Sequence, residues 1–439
     1  MGDYVPSTPS QQLDMLAAIG LESLDDLYAA VPAALVLPAV PGLPAGQSEL
    51  EVARSMRRLA EANRTYRSVF RGAGAYCHYI PAAATAAVGK ESLTTAYTPY
   101  QAEISQGVLQ SIFEYQTMMC ELTGMDVANA STYDGASAAA EAAAMCRSRT
   151  RPKTLISAAA NPELVRTVRT YCWAHGSPFE VVPQRDGATD LAALAAMLDG
   201  QTACAILAQP NFNGVIEDAG AAADLVHASG AKLVLAVNPI AAAVLKSARE
   251  YGADVAVAEG QPLGLPVGFG GPYLGVMATT EELARRLPGR IVGQTADGAG
   301  NRAYVLTWQA REQHIRRERA TSNICSNEAL CALTAAAYLA VMGPSGLRAA
   351  ASQSFAKAHY LADQLAAVPG LRLKYGAPFF HEFVTGRPER ADAFLERLAA
   401  AGILGGLPIE GGILWCATEL NTKADMDQVA AIAKEVLDR

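Results

Sequence analysis

Four stretches concentrate side chains able to do chemistry. In Tyr97-Thr98-Pro99-Tyr100-Gln101-Ala102-Glu103-Ile104-Ser105-Gln106-Gly107, two tyrosines, a proline and several hydroxyl, amide and carboxylate groups precede a helical pattern. Such a turn either presents donors to a cleft or caps the helix through Thr98 or Ser105 while the tyrosines cover apolar surface. In Ser131-Thr132-Tyr133-Asp134-Gly135-Ala136-Ser137-Ala138-Ala139-Ala140-Glu141, small residues open a helix whose free N–H groups and dipole favour an anion such as phosphate. Asp134 repels that anion unless it points away or serves as the cap, and tight packing of an Ala-rich helix accounts for the small residues equally well. From Glu259 to Pro272, five glycines and three prolines follow an apolar strand pattern, which permits close backbone approach or a tight reversal. In Arg316-Arg317-Glu318-Arg319-Ala320-Thr321-Ser322-Asn323-Ile324-Cys325-Ser326-Asn327, a basic run enters a hydroxyl- and amide-rich turn. That pattern suits a phosphate or carboxylate, or else a solvated helix end followed by a cap. The histidines make no HExxH or HxH, the eight cysteines no zinc spacing, and no GxSxG is present, so no metal site and no serine triad are expected.

The elements that must position these groups follow from hydrophobic period. Apolar repeats at three- and four-residue spacing, with caps at Thr8-Pro9-Ser10 and Ser23, predict an N-terminal helical segment over 1–70. Over 71–325, Ala/Leu helical stretches alternate with short β-type runs at Thr154–Ser157, Phe179–Val182, Cys204–Ala208, Leu233–Val237 and Asp254–Ala258. That alternation predicts an α/β layer with a mostly parallel sheet, and the continuous apolar runs predict strands covered on both faces. From 326 to 439, a long helix broken at Gly343-Pro344 and then short strands around a helix at 390–401 predict a smaller C-terminal α+β domain.

Composition removes whole classes of partner. At 439 residues, 51% hydrophobic and 18% charged, the chain builds a large globular core rather than a disordered one. A net charge of −8 without a basic block argues against nucleic acid and against an anionic membrane surface. With no signal-peptide pattern at the N-terminus and cysteines in no disulfide framework, a cytoplasmic location is expected.

The four stretches, in this order, with Gly72-Ala73-Gly74-Ala75-Tyr76, Phe113-Glu114-Tyr115-Gln116, Glu121 to Asn129, Gln209-Pro210-Asn211-Phe212 and Gly270-Gly271-Pro272, resemble the glycine cleavage system P-protein family over nearly the whole chain, in its N-terminal-half or subunit 1 form. The resemblance implies a fold-type-I pyridoxal-phosphate (PLP) transferase architecture. It also implies a complex that decarboxylates glycine and passes the aminomethyl group to the lipoyl arm of the H-protein. PLP chemistry on this fold needs a Schiff-base lysine before a Gly-rich loop and an aspartate at the ring nitrogen. Here Gln261 stands near the lysine's place and Asn238 near the aspartate's; Lys153 and Lys232 lead into strands and Lys246 lies in a helical pattern.

The expectation is therefore a subunit without its own PLP, whose pocket, around Asp134, Gly135, Asn238 and Gln261, is vestigial. It pairs with a homologous lysine-bearing subunit 2, as an α2β2 assembly, and lends residues to that partner's site. Tyr97, Thr98, Tyr100, Gln101, Glu103 and Ser105 are the candidates facing glycine and the H-protein arm; Thr321, Ser322 and Asn323 are the candidates for the partner's PLP phosphate. The alternative is a catalytically silent scaffold of the same fold. Cys77 and Asn213 also depart from the family pattern, where Asp and an aromatic are usual.

Overall fold

In this computed structural model, which describes residues 7–37, 42 and 44–437, the chain divides between Thr65 and Tyr66 into two units. In the first unit, α1 (Pro9–Ala18) opens on a reciprocal cap: Thr8 Oγ1 accepts from the Gln11 N–H, and Gln11 Oε1 accepts from the Thr8 N–H. Ser48 and Glu51 do the same for α2 (Glu49–Glu61). The helical pattern anticipated up to Phe70 stops earlier. Ser68–Val69 is a short strand paired with Ile403–Leu404, and Phe70 is fully buried in the C-terminal core.

The second unit is built on a seven-stranded sheet. Its strands are β1 (Val127–Ala128), β2 (Lys153–Ser157), β3 (Phe179–Val182), β4 (Thr202–Gln209), β5 (Lys232–Val237), β6 (Val255–Glu259) and β7 (Gly275–Thr279), in the order β1-β7-β6-β5-β4-β2-β3. Strands β3 to β6 run parallel across β2, while β7 is antiparallel to both β6 and β1. Alternate residues feed opposite cores: Leu233 and Leu235 lie in one apolar cluster, Val234 in the other, and likewise Leu207 against Ile206. Burial of each such side chain contributes roughly 1.5–3 kcal/mol, which explains why the strands read as unbroken apolar runs.

Two long helices fix the site's surroundings. α3 (Gln106–Thr123) is stitched to a hairpin formed by β8 (Ile291–Ala296) and β9 (Arg302–Thr307). The Gln106 amide exchanges hydrogen bonds with the Tyr304 backbone (2.8 and 2.9 Å), and the Gln116 amide does so with Val292 (2.9 and 3.0 Å). α4 (Gly135–Cys146) is almost wholly buried against the sheet, where its alanines allow close approach. By length and composition α5 (Ala329–Ala366) would pass for a membrane span. In the structure it breaks at Gly343, where φ is 60°. Its first arm, including Cys331 and Tyr338, packs in the core of the main sheet; its second arm, including Leu361 and Leu365, packs in the C-terminal core. That second core is closed by the antiparallel sheet of β10 (Glu382–Thr385), β11 (Leu407–Ile409) and β12 (Gly412–Cys416), ordered β10-β12-β11. Lys246, expected in a helix, falls instead in an irregular stretch after the short 3-10 turn Ala241–Ala243.

Candidate functional site

The parallel strands end on one edge of the sheet, and a cavity of about 360 Å³ opens there. Asn211 follows β4, Asn238 follows β5, Glu259 ends β6, and Asp134, Gly135 and Ala136 start α4; the strap from Gly72 to Tyr76 and the ring of Tyr273 complete the wall. Close packing sets this geometry. A Cβ on Gly135 would stand 2.7 Å from the Glu259 nitrogen, and one on Gly275 would stand 1.8 Å from Thr132 Oγ1. Only glycine lets the loop before α4 lie against β7 at that distance.

Almost every polar group at this edge is satisfied by the chain itself. Asp134 caps α4, its Oδ1 accepting from the Ser137 N–H at 2.7 Å. Glu259 Oε2 accepts from the Gly135 N–H at 2.9 Å, and its Oε1 from the N–H groups of Gln261 (2.9 Å) and Leu274 (3.1 Å). Burial pushes the Glu259 carboxyl up to about 7, against the pull of those three N–H donors. Asn238 Oδ1 accepts from the Ile240 and Ala241 N–H groups at 2.9 and 3.0 Å. Gln261, expected in the cavity, lies behind Tyr76: its Oε1 accepts from the Tyr76 N–H, and its Nε2 donates to the carbonyls of Tyr76 and Leu265. The strap is clamped further by Glu382, which accepts from the Tyr76 hydroxyl at 2.7 Å and the Ala73 N–H at 2.6 Å. Burial raises that carboxyl to about 7 as well. Cys77, which follows the strap, has its thiol pushed up by burial, which disfavours the thiolate. Asn213 is likewise held, donating to Gln184 Oε1 and the Gly187 carbonyl.

The remaining candidates meet on a different face. Tyr97 is 87% exposed and Tyr100 57%, while Gln101 and Glu103 project to solvent and Thr98 and Ser105 are half-buried. Neither Thr98 nor Ser105 caps α3 with its side chain. Arg290 joins this segment to the second one. Its Nη2 donates to the Tyr100 hydroxyl and to the Cys325 carbonyl, both at 2.6 Å, and its guanidinium lies over the Tyr100 ring at 4.7 Å. Tyr97, Thr98 and Pro99 share one groove with Ser326, Asn327 and Leu330. Thr321 and Ser322 border another with Arg285, Arg286 and Arg311. Thr321 and Asn323 are exposed, whereas the Ser322 hydroxyl accepts from the Ile324 N–H and bonds to the buried Glu141 carboxyl. Among the described residues, no cluster of three or more His, Cys, Asp or Glu is arranged to hold a metal ion.

Glu259, Glu382 and Arg290 were not singled out by sequence reasoning. A carboxylate closing the otherwise apolar Val255-Ala256-Val257-Ala258-Glu259 run was the available signal for the first; no local pattern marks the other two.

A mostly parallel sheet with its cavity at the strand ends and a helix N-terminus beside it gives the chain the α/β architecture of the fold-type-I PLP-dependent transferases. Solved structures of a sphingosine-1-phosphate lyase from Burkholderia pseudomallei (TM-score 0.65, 15% identity, covering 94% of each chain) and a glutamate decarboxylase from Lactobacillus brevis (TM-score 0.67, 13% identity, 94% of this chain and 98% of that one) share the fold. The family described as "Glycine cleavage system P-protein" matches residues 2–433, and the chain belongs to that family. It is 48% identical over 442 residues to a protein of Moorella thermoacetica named "Probable glycine dehydrogenase (decarboxylating) subunit 1", covering 99% of both chains. A relative of the same name from Desulfitobacterium hafniense is 46% identical, covering 99% of this chain and 100% of the relative. The crystal structure of a glycine decarboxylase (P-protein) in inhibitor-bound form superposes with a TM-score of 0.93 at 41% identity, covering 99% of this chain and all of that one.

The class cofactor does not fit this chain's own cavity. PLP there requires an amine for the imine, an anionic acceptor at the ring nitrogen and a phosphate cradle. Gln261 offers an amide already spent on backbone, and Asn238 a neutral oxygen already spent on a turn. The helix N-terminus is filled by Glu259. Lys153 and Lys232 begin their strands, at the opposite edge of the sheet, where they pair with Asp199 and Asp254.

Proposed function

We propose that the chain acts as subunit 1 of a glycine dehydrogenase (aminomethyl-transferring, decarboxylating), paired with a homologous lysine-bearing subunit 2 that holds PLP. In this reading the complex releases CO2 from glycine and passes the aminomethyl group to the lipoyl arm of the H-protein, and two chains of each kind form an α2β2 assembly. Tyr97, Thr98, Tyr100, Gln101, Glu103 and Ser105 face glycine and the arm in the partner's site. Thr321 and Asn323 contribute side chains toward the partner's phosphate, while Ser322 shapes their turn.

The observation that supports this most is the contrast in hydrogen bonding. The chain's own cavity has its polar groups consumed internally, whereas the 97–105 and 321–327 segments are joined through Arg290, which takes up Tyr100, and leave Tyr97, Gln101, Glu103, Thr321 and Asn323 exposed. Thr321 borders Arg285, Arg286 and Arg311; Arg286 donates to the Arg147 carbonyl and Arg311 to those of Leu287 and Gly289, and the positive charge gathered there suits an anion brought by another molecule. Borohydride trapping of the co-purified complex, followed by mass spectrometry, should place pyridoxyl on subunit 2 and none on this chain. A pyridoxyl-lysine found in this chain would refute the assignment.

A further inference from the structure

Three backbone N–H groups, those of Gly135, Gln261 and Leu274, converge on the single carboxylate of Glu259. Donors so arranged form a concave nest for an anion, and here one of them opens a twelve-residue helix whose dipole adds to the attraction. The nest is already full. Glu259 is the last residue of β6, so its backbone is fixed by the sheet and its carboxylate is held by the three N–H groups. The first turn of α4 packs so closely on Glu259 that a Cβ at Gly135 would lie 2.9 Å from its Cα, leaving no layer for an oxyanion between them. Asp134 takes the Ser137 N–H, so a second donor of that turn is spent on the chain's own carboxylate. Among the described residues, the cavity wall carries Asp134, Glu163 and Glu259 and no lysine or arginine.

We infer that Glu259 is a resident anion of this cavity, filling its oxyanion nest and making it reject phosphate-bearing molecules. Loss of the imine lysine by itself would leave a pocket that still binds PLP non-covalently. The internal carboxylate removes that competition with the partner's site, by its volume at any pH and by its charge where it is ionised. The property belongs to this chain's own cavity and does not depend on what the partner subunit does.

The test compares the full-length wild-type chain with Glu259→Ser at pH 8, titrating inorganic phosphate and then PLP by calorimetry. The serine variant, with three N–H groups left facing a vacated site, should bind phosphate at least about tenfold more tightly than wild type. A folded serine variant with no gain overturns the inference. Backbone amide spectra of the wild type decide it independently, even should that variant fail to fold. The Gly135, Gln261 and Leu274 signals should titrate together with pH and stay fixed on addition of phosphate. A Gly135 signal that shifts with phosphate, or three signals that titrate independently, would overturn it.

Discussion

The cavity at the sheet edge and the face formed by residues 97–105 with 321–327 are built on opposite terms. At the cavity, carboxylates, amides and backbone groups answer one another: Glu259 takes three N–H groups, Gln261 both edges of Tyr76, and Glu382 the strap. On the other face, Arg290 fixes the backbone while Tyr97, Gln101, Glu103, Thr321 and Asn323 remain exposed. A satisfied buried network holds one geometry and has little to offer a ligand. Spare polar groups on a fixed backbone are free to engage a partner, at a cost of roughly 0.5–1.5 kcal/mol per immobilised side chain. Function in this molecule therefore resides where polar groups are still open to a partner.

Adding one methyl group tests the first region. Gly275→Ala forces a Cβ into Thr132 and the Asp134 carbonyl and should cost about 3 kcal/mol of stability in urea unfolding. A loss under about 0.5 kcal/mol would mean the loop before α4 is free to move, and the contrast would fail. The second region should respond in the other way. Tyr97→Ala and Thr321→Ala should each lower glycine turnover by the assembled complex roughly tenfold, with stability of the isolated chain unchanged within about 0.5 kcal/mol. Unchanged turnover in both variants would favour the silent scaffold.

The smallest expected effect is a slope with pH. Glu259, Glu382 and Glu141 are each raised by burial from 4.5 to about 7. Between those values the native chain holds protons that the unfolded chain has released, so stability falls as pH rises through the window. Glu259→Gln removes one such group and should flatten the slope by at most about 1.4 kcal/mol per pH unit. Unfolding measured at several pH values across the window checks this; an unaltered slope would mean that Glu259 is ionised in the fold throughout it.

Much of the scaffold was legible because its signals are local. The strands at 154, 179, 204, 233 and 254 are apolar runs between turn residues, and each forms within a residue or two of its expected place. The antiparallel strand β7 and the β8–β9 hairpin were not anticipated, although Leu274 to Ala278 is a short apolar run and Asp297-Gly298 is a turn pair between the hairpin strands; β7 follows directly on the glycine-rich loop, and the hairpin strands are only partly buried, which weakens their alternation. The N-terminal helical pattern was overextended because Ser68–Val69 becomes a strand only by pairing with residues more than 300 positions away.

Legible along the chain are its composition and chemistry: no lysine at the loop where an imine would form, a neutral amide at 238, apolar runs suited to a doubly covered sheet, and hydroxyl-rich turns at 97–105 and 321–323. These are properties of residue type and near-neighbour period, which no fold alters. Tertiary structure alone decided which groups are already spent. Glu259 and Gly135 are 124 positions apart, and Glu382 and Tyr76 are 306 apart, so the bonds that close the cavity exist only once the sheet, the helix and the strap are assembled. Hydrogen bonds are short-ranged and directional, and whether a polar side chain is free or taken is therefore settled by three-dimensional proximity rather than by order along the chain.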